Sequence, residues 1–134
     1  MKIYLFEKLE CWQHARQLTV RTFQITKNFP AEEKFGIISQ MRWASISIAS
    51  NIAEGTFRKT TKHQTHFSTI ACSSTVELLN DLFITHDLKF LNIEMYEQER
   101  EMLEKQTLLI SGLRKSQQKK RISFTDKLSK PLNP

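Results

Sequence analysis

From Pro30 to Pro131 the chain carries no proline, and its 134 residues include only three glycines, Gly36, Gly55 and Gly112. Small β-sandwiches and barrels need glycine or proline turn signals every ~8–12 residues. An all-β fold is therefore nearly excluded. A doubly wound α/β fold needs glycine-rich turns between strand and helix, and none occurs. What so long an uninterrupted stretch can build is helix. The length suits one domain with a core that stands without staples.

Four apolar-periodic segments follow one another. In the first, Lys8 to Asn28, Leu9, Trp12, Leu18, Phe23 and Ile25 recur at helical spacing. Asn28-Phe29-Pro30 ends it, because the residue before proline avoids the α region. The second is predicted to open at Pro30-Ala31-Glu32-Glu33, with proline in the first turn and acids at the positive end of the helix dipole. Ile38, Met41, Ser45, Ile48 and Ile52 then step by 3, 4, 3 and 4, an a/d seam. Gly55 is expected as the C-terminal cap. Ala44, Ser45, Ser47, Ala49, Ser50 and Ala53 keep this helix lean, which suits the centre of a bundle or an interface.

The third segment starts with Thr61-Lys62-His63-Gln64, which has capping-box form, and runs to about Leu88. Phe67, Ile70, Ala71, Ser74, Leu78 and Leu82 make one stripe, widened by Val76, Leu79 and Phe83. Asn92 is a good N-cap for the fourth. There Met95, Met102 and Leu109 repeat every seven residues, as do Tyr96, Leu103 and Ile110, and Leu113 continues the stripe. The pattern fades near Ser116-Gln117-Gln118. Short links make sequential helices antiparallel neighbours. The prediction is an all-α, up-down-up-down four-helix bundle over residues 1–115, followed by a flexible basic tail over residues 116–134.

Charge is unevenly placed. Of a formal net charge of +6, nearly all sits in residues 115–134, where six bases meet only Asp126. A second cluster, Arg58, Lys59 and Lys62 with His63 and His66, has no acid between Glu54 and Glu77. Both clusters can hold the phosphates of RNA or DNA. The candidate contacts are Arg42, Arg58, Lys59, Lys62, Lys119, Lys120 and Arg121. The competing readings are a solubilising end and a solvated loop face.

Chemical machinery is not evident. No Glu-x-x-His motif occurs, and His63 and His66 at an exposed helix start read as a polar face, not a metal site. Nucleotide-binding glycine loops and the nucleophile elbow are missing. Cys11 and Cys72 lie in apolar helical segments and read as buried hydrophobes. The expectation is a protein that is not an enzyme and takes no metal or cofactor. Met1–Glu10 is charged and lacks a long apolar run, so no signal peptide is expected, and no stretch approaches the ~20 apolar residues that span a bilayer. A reduced, cytoplasmic protein follows.

Asn51 and Glu54 are unusual in the second helix, since the dipole opposes an acid in a last turn. They are expected to pin the turn to the third helix with Gly55, Glu54 pairing with Arg58 or Arg42. The alternative is that they line a binding surface.

Three runs carry a family resemblance. They are Phe6..Leu9..Trp12-Gln13.Ala15..Leu18, then Phe29-Pro30..Glu33.Phe35-Gly36-Ile37, and Gln40-Met41-Arg42.Ala44-Ser45-Ile46 through Asn51-Ile52-Ala53-Glu54-Gly55..Arg58 to Phe67..Ile70-Ala71..Ser74..Glu77-Leu78. Over residues 6–115 the chain resembles the four-helix bundle proteins encoded by intervening sequences of bacterial 23S rRNA genes. Trp43 stands where that family usually has a second arginine, and Cys72-Ser73 where it has a base and a glycine. The resemblance implies left-handed bundles that assemble as homopentamers. A similar bundle is the accessory variability determinant of diversity-generating retroelements, whose basic pentamer binds a reverse transcriptase and nucleic acid. The partners this implies are sister chains, RNA or DNA, and a reverse transcriptase. A protein-interaction scaffold is the alternative.

Overall fold

The computed structural model describes residues 1–129, with side chains described to Lys119. Four helices account for most of it: α1 (Glu10–Thr26), α2 (Ile37–Thr56), α3 (Thr61–Asp87) and α4 (Ile93–Ser129). Short 3-10 turns at Leu5–Lys8 and Ala31–Glu33 precede α1 and α2. Each helix packs on its sequence neighbours, and α1 closes the ring against α4. Among the described residues, no Cα atoms approach within 8 Å across either diagonal, α1–α3 or α2–α4. This is the predicted up-down-up-down arrangement.

Side-chain bonds fix the antiparallel register. The Thr19 hydroxyl reaches the Ser45 carbonyl (3.0 Å) between α1 and α2. Gln40 donates to Asp81 (2.8 Å) between α2 and α3. Ser68 donates to Gln117 (2.9 Å) between α3 and α4.

The a/d seam of α2 is the heart of the core: Ile38, Met41, Ser45, Ile48 and Ile52 are all buried. Leu18 and Ile25 of α1, Leu78 and Leu82 of α3, and Leu103 and Ile110 of α4 pack around it. Burying a side chain of this size contributes about 1.5–3 kcal/mol relative to leaving it exposed.

Helix ends depart from the sequence reading in four places. First, α2 starts at Ile37 and not at Pro30. Pro30 caps a three-residue 3-10 turn, and Gly36 leaves helical dihedrals (φ −108°, ψ −116°) before α2 begins. Second, Gly55 is not a cap. It stays helical and buried, and a Cβ there would lie 3.3 Å from the Phe67 Cβ. Its role is the close approach of α2 to α3. Third, Thr60, one residue before the expected box, caps α3, its hydroxyl accepting from the His63 N–H (3.2 Å). Fourth, α4 does not fade at Ser116 but runs to Ser129. Asn92 does cap α4, its Oδ1 accepting from the Met95 N–H (2.8 Å).

The continuation of α4 rests on an inner stripe that is half polar. Glu99, Leu103, Gln106, Ile110 and Gln117 are all buried, with Leu113 half-buried among them. Their steps of four and three are helical, and each polar member makes a hydrogen bond to a neighbouring helix, although the Glu99 Oε2 has no partner. Gln106 accepts from His14 (2.6 Å) and donates to the Cys11 carbonyl (3.1 Å). That pattern sets the His14 tautomer, with the proton on Nδ1.

Candidate nucleic-acid interface

The turn between α2 and α3 is held by its own side chains. Arg58 reaches back four residues to Glu54 (3.1 Å), and its guanidinium lies 4.7 Å from the centre of the Phe67 ring. Gln64 donates to the Arg58 carbonyl (3.0 Å). Glu54 and Arg58 are both about half exposed, so the pair orients more than it stabilises. Asn51 does not take part. Its amide donates back to the Ser47 carbonyl (2.8 Å) within α2, and Ser47 meets Ser74 of α3 (2.8 Å).

Around this frame Lys59, Lys62, His63 and His66 are exposed. The Ser68–Gln117 bond brings the far part of α4 to the same end of the bundle. Arg114 there is half-buried, while Lys115 and Lys119 are exposed. Two basic clusters distant in sequence thus meet at one end. The side chains of Lys120 and Arg121 lie outside the described residues, although the α4 backbone continues through both.

A hollow of about 320 Å³ opens between α3 and α4, lined by Cys72, Thr107, Ile110, Ser111, Arg114, Lys115 and Gln118. The Arg114 Nε is buried with no hydrogen-bond partner. A wider one, about 650 Å³, follows the outer face of α1 past Trp12, Arg16, Val20 and Arg21 to Met102. Arg16 lies over the Trp12 ring, 5.5 Å from its centre.

Arg42 stands apart from the other candidate bases. Half-buried, it donates to the Thr26 hydroxyl (2.9 Å) and covers the Phe23 ring at 4.7 Å, tying α2 to the end of α1. Fourteen helical positions separate it from Thr56, the last residue of α2 before the Arg58 turn, about 21 Å at 1.5 Å per residue. Arg114 lies just short of Ser116-Gln117-Gln118, where the apolar period fades, so periodicity alone gives it no place at the basic end. The signal was present, since Gln117 falls seven residues after Ile110.

Inside the bundle three titratable groups are buried at helix interfaces. Burial pushes the Glu99 carboxyl, at the α1–α4 contact, up to about 7, against the opposing pull of Thr22 and Arg21. Burial also raises Asp81, at the α2–α3 contact, while Gln40 acts the other way. Cys11 is pushed up to about 12, chiefly by burial. None of the three lines either hollow. Among the described residues, no three His, Cys, Asp or Glu side chains gather to hold a metal, and no helix is long and apolar enough to cross a membrane.

Fold and surface together define a helical-bundle protein with one basic end. A solved structure shares this fold: a protein of unknown function from the S23 ribosomal protein family of Bacteroides thetaiotaomicron. It is 18% identical, with a TM-score of 0.71, over 78% of this chain and 98% of that one. No curated protein matches the sequence. The family model for the 23S rRNA-intervening sequence protein matches residues 7–112, and the chain belongs to that family.

Proposed function

We propose that this chain is a non-enzymatic, cytoplasmic, homo-oligomeric bundle that holds RNA or DNA by its backbone, or a ribonucleoprotein, through the basic end. The observation that most supports this is the meeting of the α2–α3 turn with the far part of α4. Arg58, Lys59 and Lys62 stand there with Arg114, Lys115 and Lys119, and Glu54 is the acid nearest the turn. Such contacts read phosphates and not base sequence. Binding is therefore salt-dependent and weakly sequence-specific.

Symmetric assembly multiplies a weak site, because each copy presents the same patch. The outward faces of α2 and α3 leave Trp43 68% and Val76 59% exposed, which suits contact with sister chains. Five copies follow the pattern of the family resemblance. The same faces support the second reading, a scaffold for a protein partner such as a reverse transcriptase. Light scattering of the purified protein measures the subunit number.

The deciding experiment is a gel-shift titration with a structured RNA. Binding at about 50 mM salt that weakens by orders of magnitude at about 200 mM is the expected result. No shift at the lower salt ends the nucleic-acid reading.

A further inference from the structure

The basic end also carries aromatic rings held in place by the N-terminal segment. The Tyr4 ring stacks on Phe6 at 5.8 Å with an interplanar angle of 11°. Both rings sit 6.1 Å from Phe57, in the α2–α3 turn. Phe6 meets Trp12 of α1 edge-on at 4.9 Å, which anchors the group to the bundle.

The 3-10 turn that presents Tyr4 is itself fixed. Glu7 accepts from the Tyr4 N–H (2.6 Å), and Gln13 donates to the Glu7 carbonyl (2.7 Å). Phe6 and Trp12 are half-buried, yet Tyr4 is 43% and Phe57 63% exposed. Lys2 stands 5.3 Å from the Tyr4 ring, and Arg58 and Lys59 follow Phe57 directly in the chain.

Exposed flat rings beside positive charge suit a ligand with flat apolar faces and repeated negative charge. An unpaired nucleotide strand has both. A duplex hides its base faces in the stack, and an acidic peptide brings the charge without the planes. We propose that Tyr4 and Phe57 form a stacking platform for unpaired bases, so that the basic end takes single-stranded or looped nucleic acid. This rests on reading the basic end as a phosphate-binding surface and adds the class of strand. Every base has a π-face, so the platform is tolerant of sequence.

The test is fluorescence anisotropy at low salt with three labelled probes: an oligothymidylate, the same backbone with abasic sites, and a duplex of equal charge. The oligothymidylate is expected to bind about 5- to 100-fold tighter than the other two. Tyr4→Ala/Phe57→Ala should erase that advantage and leave duplex binding unchanged. Phe57→Leu, which keeps apolar bulk without a ring, should lose affinity with the fold intact by circular dichroism, and Phe57→Trp should keep it. Equal binding of all three probes, unchanged in the variants, overturns the platform and leaves the phosphate-binding reading standing. No binding of any probe removes both. A double variant that loses oligomeric mass but binds all probes as before assigns the rings to a second copy and overturns the platform.

Discussion

Glu99 makes one helix contact sensitive to pH. The Thr22 hydroxyl lies 2.7 Å from Glu99 Oε1 and 2.8 Å from the Leu18 carbonyl, but it has a single proton to donate. A protonated Glu99 resolves the conflict by donating to the Thr22 oxygen, which frees Thr22 to donate to Leu18. An ionised Glu99 leaves Oε2 buried without a partner. Burial, outweighing the opposing pull of Thr22 and Arg21, holds the proton on this carboxyl up to about 7 in the fold, against an ordinary 4.5. Between those values the folded state binds more protons than the unfolded one, so stability falls as pH rises and levels off above 7. The cost accumulated is about 3 kcal/mol at ~1.4 kcal/mol per unit. Glu99→Gln should remove this slope when denaturant midpoints are compared from pH 4.5 to 8; a slope equal to that of the parent would refute the assignment. The cysteines differ in the same way through burial. Cys11 is 6% exposed with its thiol raised to about 12, whereas Cys72 lines a hollow. Iodoacetamide at pH 8 should label Cys72 alone in the native protein, and Cys11 only after unfolding.

Two glycines inside helices have opposite reasons to be there. A Cβ on Gly55 would meet the Phe67 Cβ at 3.3 Å and the Gln64 carbonyl at 3.6 Å, whereas one on Gly112 would meet nothing within 4 Å. Gly112→Ala should raise stability by about 1 kcal/mol through helix propensity. Gly55→Leu should lower it by about 1–3 kcal/mol, because a side chain larger than the Cβ that already crowds Phe67 must push α3 away. A thermal melt of each decides it, and a stabilised Gly55→Leu would mean that α2 and α3 part easily. The same glycine shows what sequence can reveal about an element. Its rarity marks a special position, but a cap and a close approach look alike until the partner helix is present. Periodicity read the α2 seam position by position, because every member is apolar or small. It lost α4 at Gln117, although Tyr96, Leu103, Ile110 and Gln117 follow one heptad. An apolar pattern cannot see a seam position whose burial depends on a hydrogen bond from another helix, as Gln117 depends on Ser68.

At the scale of the molecule, antiparallel register converts a scattered charge sequence into a polar body. At the opposite end the α1–α2 link, residues 27–36, and the α3–α4 link with the helix ends that flank it, residues 87–98, meet through the Phe29–Phe90 contact at 5.5 Å. They hold Glu32, Glu33, Asp87, Glu94 and Glu97 against Lys27, Lys34 and Lys89. The bases gather at the other end. The two basic clusters were legible one by one in the sequence; their meeting was not, because it follows from the length and register of α4. If position matters more than total charge, two double substitutions that change net charge equally should separate. Lys59→Glu/Lys62→Glu should weaken RNA binding by at least about 10-fold and reduce the slope of log K against log salt by about 2. Lys27→Glu/Lys34→Glu, at the opposite end, should leave both nearly unchanged, since charges beyond a Debye length of about 10 Å are screened at ~0.1 M salt. Anisotropy titrations across a salt series measure both quantities. Equal losses in the two variants would show that the chain attracts nucleic acid by net charge alone, and the basic end would then be no site at all.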